Sequence, residues 1–264
     1  MVNIELGPGD PAPVEIINPN ALASVLITGD HAGNAVPASM NGLGLSKDDM
    51  TRHIAWDIGA AGVVRALARS MSATAVLSVY SRLVIDPNRP LGDPACAPAV
   101  SDGTEVPANQ NITDDIINAR ARAFYWPYHR AVDEEIGRIQ RAGIVPSVVA
   151  IHTFTPAMNN TGAQARPWHA GILYSQDTRL PHALMDALRA EDGLVVGDNK
   201  PYSGVTHGYT LKIHGIAHGL PHVELEIRQD LVADAAGQEK WANLLARLLP
   251  PLLARPEIKK VVHI

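Results

Sequence analysis

Residues 24–34 read SVLITGDHAGN, a short apolar run followed at once by a glycine-flanked Asp30-His31 turn. The apolar, β-branched side chains predict a buried strand over residues 24–28. The flanking glycines give the turn the backbone freedom to aim the His31 imidazole at a ligand. Because ligands of open α/β sheets gather beyond the carboxyl ends of strands, this stretch predicts both a strand and one wall of a site.

Similar apolar runs recur along the chain and alternate with helical patterns. This alternation predicts an α/β fold with a mixed, mostly parallel sheet flanked by helices. We expect a single domain over residues 1–264, because no linker divides the chain. The predicted strands span residues 24–28, 73–80, 83–86, 147–152, 171–174, 194–196 and 222–227. The predicted helices span residues 57–70, 113–142, 181–190 and 235–254.

Capping and proline signals refine the helices. Asp57 is a predicted N-cap of the first helix, because its carboxylate can accept free N–H groups of the first turn. Pro127 should kink or split the second helix, and Pro250 with Pro251 should end or bend the last. Residues 87–111 are rich in Pro, Asp, Ala and Gly, which indicates a long loop and a candidate cover for a site.

The composition excludes several classes of function. A net charge of −5 gives no electrostatic reason to bind nucleic acid, and no apolar run is long enough to cross a bilayer. The amino-terminal segment lacks the pattern of a signal peptide, so we expect a cytoplasmic protein with a small-molecule partner. Cys96 is the single cysteine, so a metal site would need ligands from carboxylates and the 11 histidines. The oligomeric state is left open.

Polar side chains lie at the ends of several predicted strands. Five loops from distant parts of the chain therefore offer functional groups to one crevice. This shared placement is more informative than any one motif. The groups are Asp30-His31, Asp86-Pro87-Asn88-Arg89, His152, Asp198-Asn199 and Glu226.

His31 and His152 are the candidate metal ligands. His152 ends a very apolar strand, where a bare imidazole is costly to bury unless it is hydrogen-bonded or bound to a metal. A carboxylate would complete a catalytic zinc set of three protein ligands, and Asp57 and Asp30 compete for that place. The residues alone leave a plainer alternative open, in which the histidines are merely hydrogen-bonded and Asp57 only caps a helix.

Glu224 and Glu226 are candidates for a general base. Period-two alternation places both side chains on one face of the same strand. A glutamate in a partly dry site can take a proton from an attacking water. The alternative is an exposed strand face on which a glutamate pairs with Arg228.

Arg82 and Arg89 bring two guanidinium groups close together on either side of Asp86. Arginine binds a carboxylate through two parallel hydrogen bonds and also stabilises the oxyanion formed when an amide is attacked. Both tasks arise in an amidase for acylated amino acids. The alternative is an internal ion pair between Asp86 and Arg89 that fixes the loop.

Four further residues have weaker local signals. His129 lies between aromatic residues in a predicted helix, a position more typical of packing. Asn199, Tyr202 and His214 lie in a glycine-rich region, where the local pattern does not distinguish substrate contacts from surface polarity.

Seven short motifs occur in an order that resembles the N-formylglutamate amidohydrolase family. The resemblance extends from about residue 24 to residue 230. The family is zinc-dependent and similar in fold to zinc carboxypeptidases and aspartoacylase, which implies a zinc-exopeptidase-like mixed sheet flanked by helices. The motifs are DHAGNAVP, DIGA, SRLVIDPNRP, WPYHRAV, AIHTF, GDNKPYSG and LEIRQDL.

The resemblance implies a role for each matched metal-site residue. His31 and His152 look like metal ligands, and Asp57 is the expected third ligand, with Asp30 as its competitor. Glu226 falls where a base glutamate would lie. The implied cofactor is one Zn²⁺ per chain, although another divalent metal would suit the same ligands.

The resemblance also implies substrate contacts. Arg82 matches an arginine that holds the substrate carbonyl, and Asn88 with Arg89 matches a pair that holds its carboxylate. His129 and His214 match family histidines. The predicted substrate contacts are Arg89, Asn88, His129, His214, Asn199 and Tyr202.

The function expected from these observations is hydrolysis of the amide of an N-formyl or other N-acyl amino acid by zinc-activated water. Two alternatives stay open at this point. One is a zinc carboxypeptidase-like peptidase that uses the same groups on a peptide C-terminus. The other is a non-catalytic binding protein for small carboxylates that keeps the arginines without the metal.

Overall fold

The computed structural model describes residues 3–158 and 166–263, which form one α/β domain around a seven-stranded sheet. The strand order is β1-β3-β2-β6-β9-β7-β8. Four central strands, β3, β2, β6 and β9, are parallel, whereas β1 and β7 pair antiparallel to their neighbours β3 and β9. The prediction of a mixed, mostly parallel sheet is confirmed. The strands are β1 Val14–Ile17, β2 Val25–Gly29, β3 Thr74–Ser78, β6 Ser147–Phe154, β7 Ala170–Leu173, β8 Val196–Asp198 and β9 His222–Arg228, with a separate hairpin of β4 Val100–Ser101 and β5 Thr104–Glu105.

Helices cover both faces of the sheet. The helices are α1 Ala60–Met71, α2 Asp114–Arg120, α3 Trp126–Arg141, α4 Arg179–Arg189 and α5 Ala235–Leu253. Along β2, Val25 and Ile27 pack into the core shared with α1, α4 and α5, whereas Leu26 packs on the opposite side with α3. Strands covered on both faces need apolar residues at successive positions, which explains the continuous apolar run SVLIT. No helix among the described residues is long and apolar enough to cross a membrane.

Two predictions about the strands are wrong. Residues 83–86 form turns, because the backbone N–H of Val84 bonds to the carbonyl of Ser81 and the Ser81 hydroxyl accepts the N–H of Leu83. Their apolar side chains instead fill a second core with Cys96 and Tyr125. Conversely, Val14–Ile17 was not predicted, although it forms edge strand β1.

The helix predictions are confirmed in outline and corrected in detail. The first helix begins at Ala60 after Gly59, so Asp57 is not its side-chain cap. The second is interrupted as expected: a π-helical turn over Ala121–Tyr125 separates α2 from α3, and Pro127 lies in the first turn of α3. The last helix runs through both of its prolines and ends soon after them.

Candidate metal and substrate site

A cavity of about 140 Å³ lies where β2, β6 and β9 end. Its position at the carboxyl ends of parallel strands agrees with the crevice predicted from sequence. It brings together the candidate metal ligands, both arginines and both glutamates. The lining consists of His31, His53, Asp57, Arg82, Asn88, Arg89, His152, Thr153, Phe154, Thr155, Tyr202, His207, Glu224 and Glu226.

His31, Asp57 and His152 form a buried cluster at this cavity. Each offers one ligand atom, and these atoms lie within 4.8 Å of one another. Nδ1 of His31 has no hydrogen-bond partner among the described residues and lies 3.4 Å from Oδ2 of Asp57. The same Asp57 oxygen lies 2.9 Å from Nδ1 of His152. Two imidazole nitrogens and one carboxylate oxygen match the donor set of catalytic zinc sites, so the residues present fit a divalent metal.

A carboxylate fixes the orientation of His31. Oδ1 of Asp86 lies 2.7 Å from Nε2 of His31. Burial alone would raise the pKa of Asp86, but Arg82 and His31 hold it below its ordinary value. The ionised carboxylate can only accept, so Nε2 of His31 donates to it, and in the neutral ring Nδ1 keeps a lone pair. This arrangement is typical of metal-ligating histidines, whose other ring nitrogen donates to a carboxylate.

Asp30 supports His152 from the side opposite Asp57. Oδ2 of Asp30 lies 2.8 Å from Nε2 of His152, and the hydroxyl of Tyr128 donates to the other Asp30 oxygen. Burial opposes protonation of His152, but the carboxylates of Glu224, Asp30 and Asp57 raise its pKa well above the ordinary value. Asp30 contacts Nε2, at the opposite edge of the ring from Nδ1, so it is badly placed to bind the same metal ion as Nδ1. This placement favours Asp57 as the third ligand.

Asp57 is positioned by long-range contacts that local sequence does not reveal. Its backbone N–H donates to the carbonyl of His31, and Oδ2 accepts the backbone N–H of Thr153 at 3.2 Å. Burial raises the pKa of Asp57, but His31 and His152 together lower it below the ordinary value. The carboxylate is therefore ionised and held between the two histidines.

The two arginines of the cavity have different partners. Arg82 donates to Oδ2 of Asp86 through Nε at 3.1 Å and a terminal nitrogen at 2.8 Å, and its other terminal nitrogen lies 3.6 Å from Asp57. Asp86 thus pairs with Arg82 rather than with Arg89, so the alternative of an internal Asp86–Arg89 pair is wrong. Arg89 donates to the Asn88 carbonyl at 3.0 Å and forms no ion pair within residues 3–158 and 166–263. Its guanidinium is thus available to an anionic ligand.

Asn88 has a side-chain carbonyl that is already used, because it accepts the backbone N–H of Thr210 at 3.0 Å. Its own N–H donates to Asp86 at 2.8 Å, which holds the start of the 87–111 loop against the site. The polar group of Asn88 left for a ligand is its side-chain NH₂.

Glu224 and Glu226 both line the cavity from β9. Glu226 lies directly beside His152 in the β6–β9 ladder, whereas Glu224 lies beside Ala150. Burial raises the pKa of Glu226 to about 8 although His152 lowers it, and burial likewise raises the pKa of Glu224. The Oε2 atom of each has no hydrogen-bond partner in the part of the chain described. Glu226 is therefore the glutamate that lies opposite His152 in the ladder. Both side chains are buried, so the alternative of an exposed strand face is wrong.

Three of the weaker candidates, His129, His214 and Asn199, lie outside the cavity lining. His129 Nδ1 lies 2.9 Å from His214 Nε2, and His214 Nδ1 lies 2.7 Å from Oδ1 of the exposed Asp133. Asn199 accepts the backbone N–H groups of Tyr174 and Gly204 at 3.1 and 2.9 Å. These contacts hold nearby segments in place, and a role of the three residues in substrate binding stays a prediction.

Tyr202 does line the cavity, where its hydroxyl accepts from Arg166 at 3.0 Å. The predicted site residues did not include His53, His207 and Thr155, which are also in the lining. His207 follows the GDNKPYSG motif closely, so the motif was a usable signal. His53 had no such signal, and its Nε2 lies 3.3 Å from Oδ2 of Asp102.

Comparisons with known proteins agree with the architecture. Residues 23–233 match the model of the N-formylglutamate amidohydrolase family. A solved structure of a gene product from Agrobacterium tumefaciens is similar at 36% identity and a TM-score of 0.88, covering 94% of this chain and 98% of that one.

A second solved structure, an N-formylglutamate amidohydrolase from Ralstonia eutropha, is similar in fold at 22% identity and a TM-score of 0.64. The match covers 91% of this chain and 98% of that one. No protein among the curated sequences searched matches the chain. The family match spans most of the chain and contains the strands that carry the cavity. The chain therefore belongs to the N-formylglutamate amidohydrolase family, whose members are hydrolases that act on amide bonds.

Proposed function

We propose that this protein is a metal-dependent amidohydrolase that cleaves the amide of an N-formyl or other N-acyl amino acid. One observation carries the proposal. The unpartnered Nδ1 of His31 faces Asp57 and His152 in the same cavity that Glu226 and Arg89 line. A metal site, a base and an anion-binding group thus converge in a space suited to a small substrate.

His31, Asp57 and His152 would hold the metal, for which one Zn²⁺ per chain is the proposed identity. When bound, such an ion supplies Lewis-acid activation of water and of the amide carbonyl. Asp86 keeps the His31 proton on Nε2, and Asp30 orients His152 through its other nitrogen. Both carboxylates fix the direction of their imidazole before any ligand arrives.

Glu226 is the proposed general base. It lies next to His152 across the ladder, and its free Oε2 has no competing partner among the described residues. It takes a proton from the attacking water and returns it to the leaving amine, as a carboxyl group of raised pKa can do near neutral pH.

The arginines bind and stabilise the negative charges of the reaction. Arg89 binds the substrate carboxylate, because its guanidinium forms no ion pair among the described residues. The side-chain NH₂ of Asn88 adds a second donor. Arg82, held by Asp86, has its third nitrogen near Asp57 and the proposed metal position. From there it stabilises the oxyanion that develops on the amide carbonyl.

The test combines metal analysis with an amine-release screen. Purified protein should contain about one zinc per chain and should release free amine from N-formyl or N-acetyl amino acids. Removal of the metal with a chelator should abolish the activity, and added Zn²⁺ should restore it. Zinc-free protein that binds small carboxylates without hydrolysis would contradict the proposal and favour a binding protein. Release of C-terminal residues from peptides alone would favour a peptidase.

A further inference from the structure

Arg166 is a cationic residue beside the cavity that the proposed mechanism does not use. Its backbone N–H donates to the carbonyl of Pro156 at 3.1 Å, which holds it near the carboxyl end of β6. Its side chain donates through Nη1 to the carbonyl of Thr155 at 3.3 Å. Thr155 belongs to the cavity lining and Arg166 does not. The guanidinium therefore lies at the edge of the cavity, next to its wall.

Two aromatic rings of the cavity wall pack against the guanidinium of Arg166. Its Cζ lies 5.0 Å from the centroid of the Tyr202 ring and 5.9 Å from the centroid of the Phe154 ring. Both rings line the cavity. A cation at these distances is attracted to the π-electron face of a ring. These contacts restrain the guanidinium without using any of its N–H donors.

The hydrogen bonds of Arg166 leave one edge of its guanidinium free. Nη1 donates to the carbonyl of Thr155 and to the hydroxyl of Tyr202 at 3.0 Å, which accounts for both of its protons. Nε and Nη2 have no hydrogen-bond partner in the described parts of the chain. These two nitrogens form an edge that can bind one carboxylate through two parallel hydrogen bonds.

The guanidinium of Arg166 also lacks a carboxylate partner. It forms no ion pair within residues 3–158 and 166–263, and residues 159–165, which precede it, include no Asp or Glu. Arg82 differs, because Asp86 already occupies its Nε and one of its terminal nitrogens. Arg89 and Arg166 are thus two separate guanidinium groups at this cavity that are available to an anionic ligand.

Tyr202 adds a hydrogen-bond donor beside Arg166. Its hydroxyl accepts from Arg166, which leaves the hydroxyl proton for another acceptor. Burial and the neighbouring Glu226 raise the pKa of Tyr202 above its ordinary value, although Arg166 and Arg82 lower it. The hydroxyl therefore keeps its proton near neutral pH. Tyr202 and Arg166 together offer O–H and N–H donors to one carboxylate.

We propose that Arg166, together with Tyr202, is the specificity residue that binds the side-chain carboxylate of the substrate, whereas Arg89 binds the α-carboxylate. This inference rests on the proposed amidohydrolase function and adds a residue to its binding site. The acyl amide lies between the metal cluster and Glu226. The side chain extends along Tyr202 to Nε and Nη2 of Arg166, so each carboxylate meets its own guanidinium.

N-Formylglutamate and N-formylglutamine test the assignment, because they differ only in the group that would meet Arg166. The wild-type kcat/KM should be about 10- to 100-fold higher for glutamate, the range expected for hydrogen bonds to a charged group. Arg166→Gln should remove most of this preference by lowering kcat/KM mainly for glutamate. Arg166→Lys, which keeps the charge and loses the two-donor edge, should retain part of it. Arg247→Gln, which changes an exposed arginine on α5, should keep the wild-type preference.

N-Formylnorvaline separates a binding role of Arg166 from a structural one, because its side chain has no polar group. Arg166→Gln should lower kcat/KM for N-formylnorvaline much less than for N-formylglutamate. An equal loss for both substrates would show that Arg166 only supports the cavity wall, and would overturn the assignment. If Arg166→Gln does not fold, Arg166→Lys and Tyr202→Phe replace it. An undiminished preference for glutamate in both of these folded variants would also overturn the assignment.

A binding measurement separates this inference from the proposed function. Calorimetric titration of Glu226→Gln with N-formylglutamate and N-formylglutamine reports affinity without turnover, and tighter binding of the glutamate compound is expected. If the wild-type protein hydrolyses N-formyl amino acids without favouring glutamate, or if folded Arg166→Gln keeps the preference, the assignment is overturned and the function survives. If no N-acyl amino acid is hydrolysed or bound, both are overturned.

Discussion

Nε2 of His31 lies 2.7 Å from Oδ1 of Asp86, a residue 55 positions later in the chain. This contact leaves Nδ1 of the same ring without a protein partner and directs it at Asp57 and His152. The geometry of the proposed metal site is therefore set in the folded chain by hydrogen bonds behind the proposed ligands.

The first prediction concerns the metal ligands themselves. Replacing His31 or His152 with Ala should remove most bound zinc and nearly all activity, because two protein ligands hold a catalytic ion too weakly. Elemental analysis of folded protein checks the metal content. His182→Ala should have little effect, since His182 lies exposed on α4. A folded His152→Ala protein with one zinc per chain would refute the ligand assignment.

The second prediction concerns Asp86. Asp86→Asn should weaken zinc affinity about 10- to 100-fold, because an amide cannot hold the His31 proton and the Arg82 guanidinium as a carboxylate does. Competition with a chromophoric chelator measures the affinity. Asp93→Asn is the matched control in the same loop, where the side chain only accepts the N–H of Ala95. Equal affinities for wild type and Asp86→Asn would show that the contact has no influence on the metal.

The third prediction separates the arginines by kinetics. Arg89→Ala should mainly raise KM, because the substrate carboxylate is charged in both the ground state and the transition state. Arg82→Ala should mainly lower kcat by about 10²- to 10³-fold, the loss typical of one oxyanion donor. Since Arg82 also holds Asp86, metal content must be measured in parallel and restored with excess Zn²⁺. Unchanged kcat with equal KM effects in both variants would contradict this division.

The fourth prediction concerns the base. Glu226→Gln should retain zinc and the fold while kcat falls about 10²- to 10⁴-fold, the usual contribution of general-base catalysis. With a substrate that lacks a side chain, such as N-formylglycine, Glu224→Gln should change kcat much less. Rates at saturating substrate, with circular dichroism as a check on folding, distinguish the two. A large kcat loss in Glu224→Gln alone would move the base to Glu224.

The fifth prediction concerns pH and stability. Burial and the neighbouring His214 lower the pKa of His129 to about 4, below its ordinary value of 6.5. Between these values the unfolded chain binds a proton that the folded chain excludes, so stability is constant above about pH 6.5 and falls as the pH drops towards 4.

Denaturant titrations at pH 7 and pH 5 should show His129 alone contributing a loss of about 2 kcal/mol in unfolding free energy. The loss should shrink in His129→Gln and persist in His263→Gln, which changes an exposed residue near the C-terminus. An equal loss in wild type and His129→Gln would show that another group is responsible.

The central strands were predictable because their information is local. SVLIT and SVVAIH are continuous apolar runs, and strands buried on both faces need such runs. The run at residues 83–86 has the same composition, yet its apolar side chains pack into a second core beside turns. The apolar composition of residues 83–86 correctly predicted their burial. It did not determine their backbone conformation.

The sequence predicted which residues lie at the strand ends and form the site. It did not predict most of the contacts among them. Asp57 precedes a helix, and its local sequence predicts a helix cap. In the structure its carboxylate contacts His152, which is 95 positions later in the chain. Asp30 and Asp57 are equivalent as carboxylates in the sequence, and only the orientation of the His152 ring distinguishes them. His129 and His214 carry the signal of functional histidines, although they bond to each other beneath the surface.

The alternation of side chains along strand β9 limits which insertions and deletions the chain can accept during evolution. Its odd-numbered positions, Val223, Leu225 and Ile227, lie in the main core, while Glu224 and Glu226 face the cavity. A single inserted or deleted residue within β9 would exchange the two faces, placing carboxylates in the core and aliphatic groups beside the metal cluster. Natural length variation should therefore be absent from this strand and should accumulate in exposed turns such as Ala142-Gly143, between α3 and β6.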